Sequence, residues 1–282
     1  MFLAKCQSEG MSARVLGIGV CLLVVLAPPS ATARPTRAGR LPGACFRRAT
    51  EPAVAACLRP TFRRAAAAGR VAETLDELEA AVRRGDLDDC HALAHELGHL
   101  VVARVRNVAR ALGAGGTQCS DGYQHGVVEA AAGLAAGPKT CARRRSEELR
   151  DACFHALGHR YMYEAQHDAA RALQLCRSRL GPFGGAARCE DGVLMENSMQ
   201  YMRLGGSLYG LHAPHACDGL HLSGELRFTC YAEIGEVGMF VFRHRLDRVR
   251  PVCARVQSRF GRRACLQGAR EELDLVRARR SG

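Results

Sequence analysis

A chain of 282 residues that is 48% apolar but only 5% aromatic, with no tryptophan, is rich in Ala, Leu, Arg and Gly. That balance favours helices with small side chains at close contacts over a β-rich fold, where Val, Ile, Thr and aromatic residues would be enriched. The net charge of +12 is almost all arginine. Without a nucleic-acid motif or interleaved aromatics, it reads as a solvated basic face available to an anionic surface, and nucleic acid is not an expected partner.

In chain order, Met11-Ser12-Ala13-Arg14 leads into the apolar run 15–27, then Pro28, Pro29 and Ala31-Thr32-Ala33. A basic start, a short apolar stretch and an A-x-A site predict a secretory signal peptide over 1–33, cleaved near Ala33, with Met11 as an alternative start. No second hydrophobic segment follows, so the mature chain is expected outside the cytoplasm, periplasmic or secreted, without a membrane span. Cleavage removes Cys6 and Cys21 and leaves an even set of twelve cysteines for an oxidising compartment. Five pairs lie 12 or 13 residues apart: Cys45–Cys57, Cys141–Cys153, Cys176–Cys189, Cys217–Cys230 and Cys253–Cys265. Cys90 and Cys119 remain as the sixth. No C-x-x-C pair is present, so a four-cysteine structural zinc site is not expected.

Residues 34–70 are irregular in pattern and read as an N-terminal cap to a helical repeat domain over 71–282. The stretch 71–84, followed by Gly85, reads as a helix with a glycine stop. From there Cys119, Cys153, Cys189, Cys230 and Cys265 recur at intervals of 34, 36, 41 and 35. The segments CSDGYQHGVVE, CFHALGHRYMY, CEDGVLMENSM, CYAEIGEVGMF and CLQGAREELDL that follow them are alike. A period of 34–41 residues predicts an all-α fold of stacked helical hairpins, an α-solenoid. In each hairpin a disulfide ties the end of helix A to the start of helix B.

The B helices carry the candidate chemistry. His95-Glu96-Leu97-Gly98-His99 aligns with His155-Ala156-Leu157-Gly158-His159. Counted from each cysteine, one position reads His95, Asp121, His155 and Asp191. The position one turn later reads His99, His125, His159, Met195, Glu236 and Glu271. Glu129 lies one turn beyond His125, and His91 one turn before His95. Residues four apart share a helix face, so His95, His99, Asp121, His125, His155 and His159 are expected metal ligands. His91, Asp191 and Glu236 are secondary candidates, and Glu96 and Glu129 are the candidate catalytic carboxylates. Imidazoles with carboxylates suit one or two transition-metal ions of the Zn, Fe, Mn or Cu class.

His95-Glu96-Leu97-Gly98-His99 resembles the zincin metallopeptidase signature. That resemblance implies His95 and His99 as zinc ligands and Glu96 as the water-activating base, with Glu129 standing in as third ligand. It covers five residues, and neither a spaced third histidine nor a strand pattern accompanies it. Ligand-type residues on successive helical repeats are similar in outline to deoxyhypusine hydroxylase, which implies an architecture and no residue assignment. The expected function is a metal-dependent enzyme, oxidative or hydrolytic, acting on a small molecule or peptide. The alternatives are an HExxH peptidase and a non-catalytic binding scaffold. Buried histidines with converging nitrogens are expected of a metal site, and splayed, exposed ones of a scaffold.

Overall fold

The structure, a computed structural model, describes residues 41–48, 50–131, 137–203, 212–222 and 224–281, which belong to one compact unit spanning 38–282. The signal peptide, its cleavage near Ala33 and the Met11 start lie outside the described residues. All regular structure among them is helical. The N-terminal part holds α1 (Gly43–Phe46), α2 (Glu51–Ala68) and α3 (Val71–Arg83). Next come α4 (His91–Val105), α5 (Val108–Ala114), α6 (Gly122–Glu129), α7 (Pro138–Ala142) and α8 (Glu147–Glu164). The chain continues with α9 (Ala169–Leu180), α10 (Ala186–Arg203), α11 (Gly224–Val241), α12 (Leu246–Ala254) and α13 (Arg259–Ser281). No described helix is long and apolar enough to cross a membrane.

Local chemistry sets the helix limits. Helix α3 buries Val71, Leu75, Leu78 and Val82 along one stripe, with Glu73 in its first turn and Arg83 in its last, each favourable to the helix dipole. Ser146 caps α8 by accepting from the Leu149 N–H, and Asp168 caps α9 by accepting from the Arg171 N–H. Gly69 ends α2 in the left-handed region at φ 69°.

All six expected disulfides are formed, with Cα–Cα distances of 5.3–6.0 Å. Four of them tie a shorter helix to the longer one after it: α1 to α2, α7 to α8, α9 to α10 and α12 to α13. Each local loop removes roughly 3 kcal/mol of unfolded-chain entropy in the loop-closure treatment. Cys90–Cys119 is different, because both cysteines stand just ahead of a helix and the bond joins the starts of α4 and α6.

The long helices α4, α6, α8, α10, α11 and α13 pack as successive neighbours, but in alternately tight and looser contacts. Glycines mark the tight ones. A Cβ on Gly98 would lie 2.6 Å from the Tyr123 carbonyl oxygen of α6, and one on Gly126 would strike the His95 carbonyl of α4. The same reciprocal crossing joins α8 to α10, where Gly158 meets Cys189 and Gly192 meets His155. It recurs between α11 and α13, where Gly235 meets Cys265 and Gly268 meets Ala232. The packing unit is therefore a glycine-crossed helix pair, twice the spacing of the cysteines. The row also curls back on itself: α13 touches α3, and the His91 ring of α4 lies 5.8 Å from the Phe240 ring of α11.

The glycine crossings shift the register expected for α6. Gly126, Gly192 and Gly268 are equivalent, so His125 stands level with Asp191. Asp121 does not. The cause is local: Cys119, Ser120 and Asp121 all adopt left-handed backbone, φ 55°, 53° and 64°, so α6 starts only at Gly122. Elsewhere the second cysteine already lies inside its helix.

Candidate metal centre

Five imidazoles from three helices meet at the faces of α4, α6 and α8. His91 and His95, one turn apart on α4, bring their Nε2 atoms to 3.0 Å. His155 and His159, one turn apart on α8, do the same at 3.1 Å. His125 of α6 stands between the pairs. Its ring centroid lies 5.1 and 5.3 Å from those of His91 and His95, and 4.9 and 5.0 Å from those of His155 and His159. Two triads result, His91/His95/His125 and His125/His155/His159, with His125 common to both.

The outward nitrogens fix the tautomers. His91 Nδ1 donates to the Cys119 carbonyl (3.1 Å) and His95 Nδ1 to Glu129 (3.2 Å). His155 Nδ1 donates to Asp191 and His159 Nδ1 to Glu196, both at 3.1 Å. With these four Nδ1–H groups engaged by oxygen acceptors, each of the four imidazoles in its neutral form presents its Nε2 lone pair inward. Two lone pairs cannot face each other at 3 Å without a cation between them. A proton joins two nitrogens, but a third imidazole with a nitrogen within 4.8 Å of both suits a metal ion. With metal–nitrogen bonds of about 2.0–2.1 Å diverging by about 90–110°, nitrogens lie about 2.9–3.4 Å apart and ring centroids about 4.5–5.2 Å apart. Histidines whose other nitrogen is held by a carboxylate or carbonyl are the usual form of such ligands.

Electrostatics favours the neutral form of three of these imidazoles. Burial, and next the neighbouring imidazoles, hold His91 and His125 well below the ordinary histidine value, and burial lowers His159 as well. Burial alone would raise Glu129, but His95, His99 and His159 hold it well below the usual carboxylate range. His125 is 3% exposed, and its Nδ1 is buried with no hydrogen-bond partner among the described residues. Such an orphaned nitrogen in a core is costly unless something binds it.

The other candidates fall around this core. His99 Nε2 meets the same Glu129 oxygen at 3.3 Å, so His95, His99 and Glu129 form a third, more exposed group. Glu96 is turned away and pairs with Arg59 of α2 at 2.6 Å. Asp121 belongs to none of the three groups. Glu196, 1% exposed, was missed by the sequence reading, and its signal was a carboxylate directly after the apolar Val193-Leu194-Met195.

Compared with known proteins, the chain matches no protein-family model, no curated protein and no solved structure. What it does has to be read from the chemistry of this site.

Behind Asp191 lies a buried layer of carboxylates from α11 and α13. Glu233 is raised well above its ordinary value by burial, then by Glu236 and Asp191, to which it is hydrogen-bonded. Glu236 is pushed up to about 7 by burial and by Glu272 and Asp191. A raised carboxylate value means that the stabilising protonated form is fully present below pH 4.5 and lost as pH rises through about 7. Glu236→Gln should therefore stabilise the metal-free protein at pH 8, by on the order of 1–2 kcal/mol, and change it little at pH 4. Urea unfolding of both proteins at the two pH values checks the sign.

A cavity of about 700 Å³ reaches the first triad at His91. Leu93, Met195, Met199, Val237, Phe240 and Val241 give it apolar wall, while Arg48, Asp86, Asp88, Asp89, Arg243 and His244 make much of the rest of the lining polar and charged. Met195 and Met199, packed with the core, also line this space.

Proposed function

We propose that the protein is an extracytoplasmic metalloenzyme that holds transition-metal ions in its two histidine triads and acts on a small molecule bound in the cavity beside His91. The single observation that carries this reading is the pair of inward-facing Nε2 contacts, each backed by engaged Nδ1 groups and joined by the orphaned His125. A ligand set of imidazoles with carboxylates in the outer shell favours Zn or Cu over the harder Mn. Three protein ligands beside an open cavity match the catalytic pattern, in which a further coordination position is left to water or substrate. When bound, the metal supplies Lewis acidity for hydrolysis or, as copper, a redox centre.

This chain's residues divide the remaining work. Glu129, Asp191 and Glu196 orient their imidazoles and fix which nitrogen carries the proton. The mixed apolar and charged walls of the cavity seat the molecule acted upon. Six disulfides accord with an oxidising compartment. Burial and convergence of the histidines favour this reading over a scaffold with a splayed ladder. The pairing of Glu96 with Arg59 weighs against a peptidase that uses Glu96 as base.

Metal content measured by plasma mass spectrometry on the oxidatively folded protein tests the proposal. At least one equivalent of zinc or copper is expected after incubation with either and desalting. A folded protein that retains neither metal overturns it.

A further inference from the structure

The two triads cannot be filled independently, because they share a histidine. One imidazole nitrogen has one lone pair and holds one cation. If His125 gives the same nitrogen to either triad, only one ion can be fully ligated at a time. If it serves both at once, each of its nitrogens must take a different ion. We propose that His125 bridges two metal ions as an imidazolate, so that the centre is dinuclear, with His91 and His95 on one ion and His155 and His159 on the other. The inference rests on reading the triads as metal sites and adds their number and linkage.

Three observations favour the bridge. First, His125 is nearly equidistant from both pairs, with ring separations of 5.1 and 5.3 Å on one side and 4.9 and 5.0 Å on the other. A ligand belonging to one ion would sit closer to that pair. Second, the other four histidines each spend Nδ1 on an oxygen acceptor, whereas His125 Nδ1 has no such partner. The position that in its neighbours meets an oxygen is the one left for a second ion. Third, Glu129 spans the two halves: it accepts from His95 and lies 3.9 Å from His159 Nδ1. Its negative charge sits where two cations and one imidazolate would leave excess positive charge.

The proton count closes. Neutral His125 carries one N–H, and the first ion takes the bare nitrogen. The second ion displaces the proton from the other nitrogen, and that proton leaves to solvent. Across such a bridge the ions lie about 6 Å apart, from two metal–nitrogen bonds of about 2.0–2.1 Å and the width of the ring. That is too far for a shared oxygen to be the main link but suitable for an imidazolate to couple the two electronically.

Copper(II) makes the coupling visible. The oxidatively folded protein is loaded with Cu(II), bound copper is counted by mass spectrometry, and the low-temperature paramagnetic resonance signal is integrated. The bridge predicts two copper ions per chain with little of the spin of two free ions, because the pair is antiferromagnetically coupled. His155→Ala, checked for native helicity and intact disulfides, should bind one copper with full spin intensity. Two ions with full spin, or one ion in the unaltered protein, would overturn the bridge and leave the metal-site reading standing. No copper and no zinc would overturn both. The measurement on the unaltered protein decides the question even if the variant fails to fold.

Discussion

Gly158→Val should abolish the native fold or lower the melting temperature by roughly 10 °C, whereas Gly113→Ala should leave it unchanged or slightly higher. The first side chain has nowhere to go. A Cβ at Gly158 would meet the Cys189 carbonyl oxygen, lie 2.7 Å from the Val193 nitrogen and 2.9 Å from the Gly192 carbonyl carbon. All three belong to the backbone of α10, so no rotamer change relieves the overlap and the two helices must part. Overpacking costs typically 1–3 kcal/mol and more where nothing yields, and in a unit of this size each kcal/mol moves the midpoint by about 2–4 °C. At Gly113 nothing lies within 4 Å, and alanine improves on glycine in a helix by about 0.5–1 kcal/mol. Thermal unfolding followed by circular dichroism separates the two. A Gly158→Val protein that melts like the parent would mean that the α8–α10 crossing is not as close as described.

The crossing also matters to the chemistry. Gly158 lies between His155 and His159 in sequence, and Gly192 presses on the carbonyl of His155 itself. Close backbone approach is what lets the short Asp191 side chain reach His155 and Glu196 reach His159. The glycines are thus positioning devices for the imidazoles.

Much of this was legible in the sequence. Paired cysteines 12 or 13 apart gave the disulfides, and histidines four apart gave His155 and His159 on one helix face, with His91, a secondary candidate, beside His95, because both follow from local spacing. Three features were not local and stayed hidden. The left-handed turn at Cys119–Asp121 moves α6 by one helical turn, so His125, and not Asp121, stands between the pairs. The side of α4 that packs on α2 decides where Glu96 points, and only the fold brings Arg59 there. The curl of the helix row places Phe240, Val237 and His244 around the cavity beside His91. The HExxH letters alone suggested a peptidase; their two histidines do share Glu129, but His95 also faces His91 in the imidazole cluster, while His99 is 45% exposed.

Metal should stabilise this protein more than any single disulfide does. The inward lone pairs repel one another in the metal-free state, while the imidazoles are already oriented by their Nδ1 partners, so little of the binding energy goes into ordering them. For a site with a dissociation constant of about 1 nM, free metal at about 100 μM stabilises by roughly 7 kcal/mol. In a unit of this length that is a rise of about 15–25 °C in melting temperature. Calorimetry of the metal-free protein with and without Zn(II) measures it. His155→Ala combined with His159→Ala removes one triad's pair but leaves His91, His95 and His125, so the rise should shrink without disappearing. Adding His91→Ala and His95→Ala should remove the rest. A rise that survives all four changes would place the stabilising metal elsewhere, with the His99 and Glu129 group as the next place to look. No rise in the unaltered protein would mean that the triads hold a shared proton, and that the facing lone pairs are reconciled by it alone.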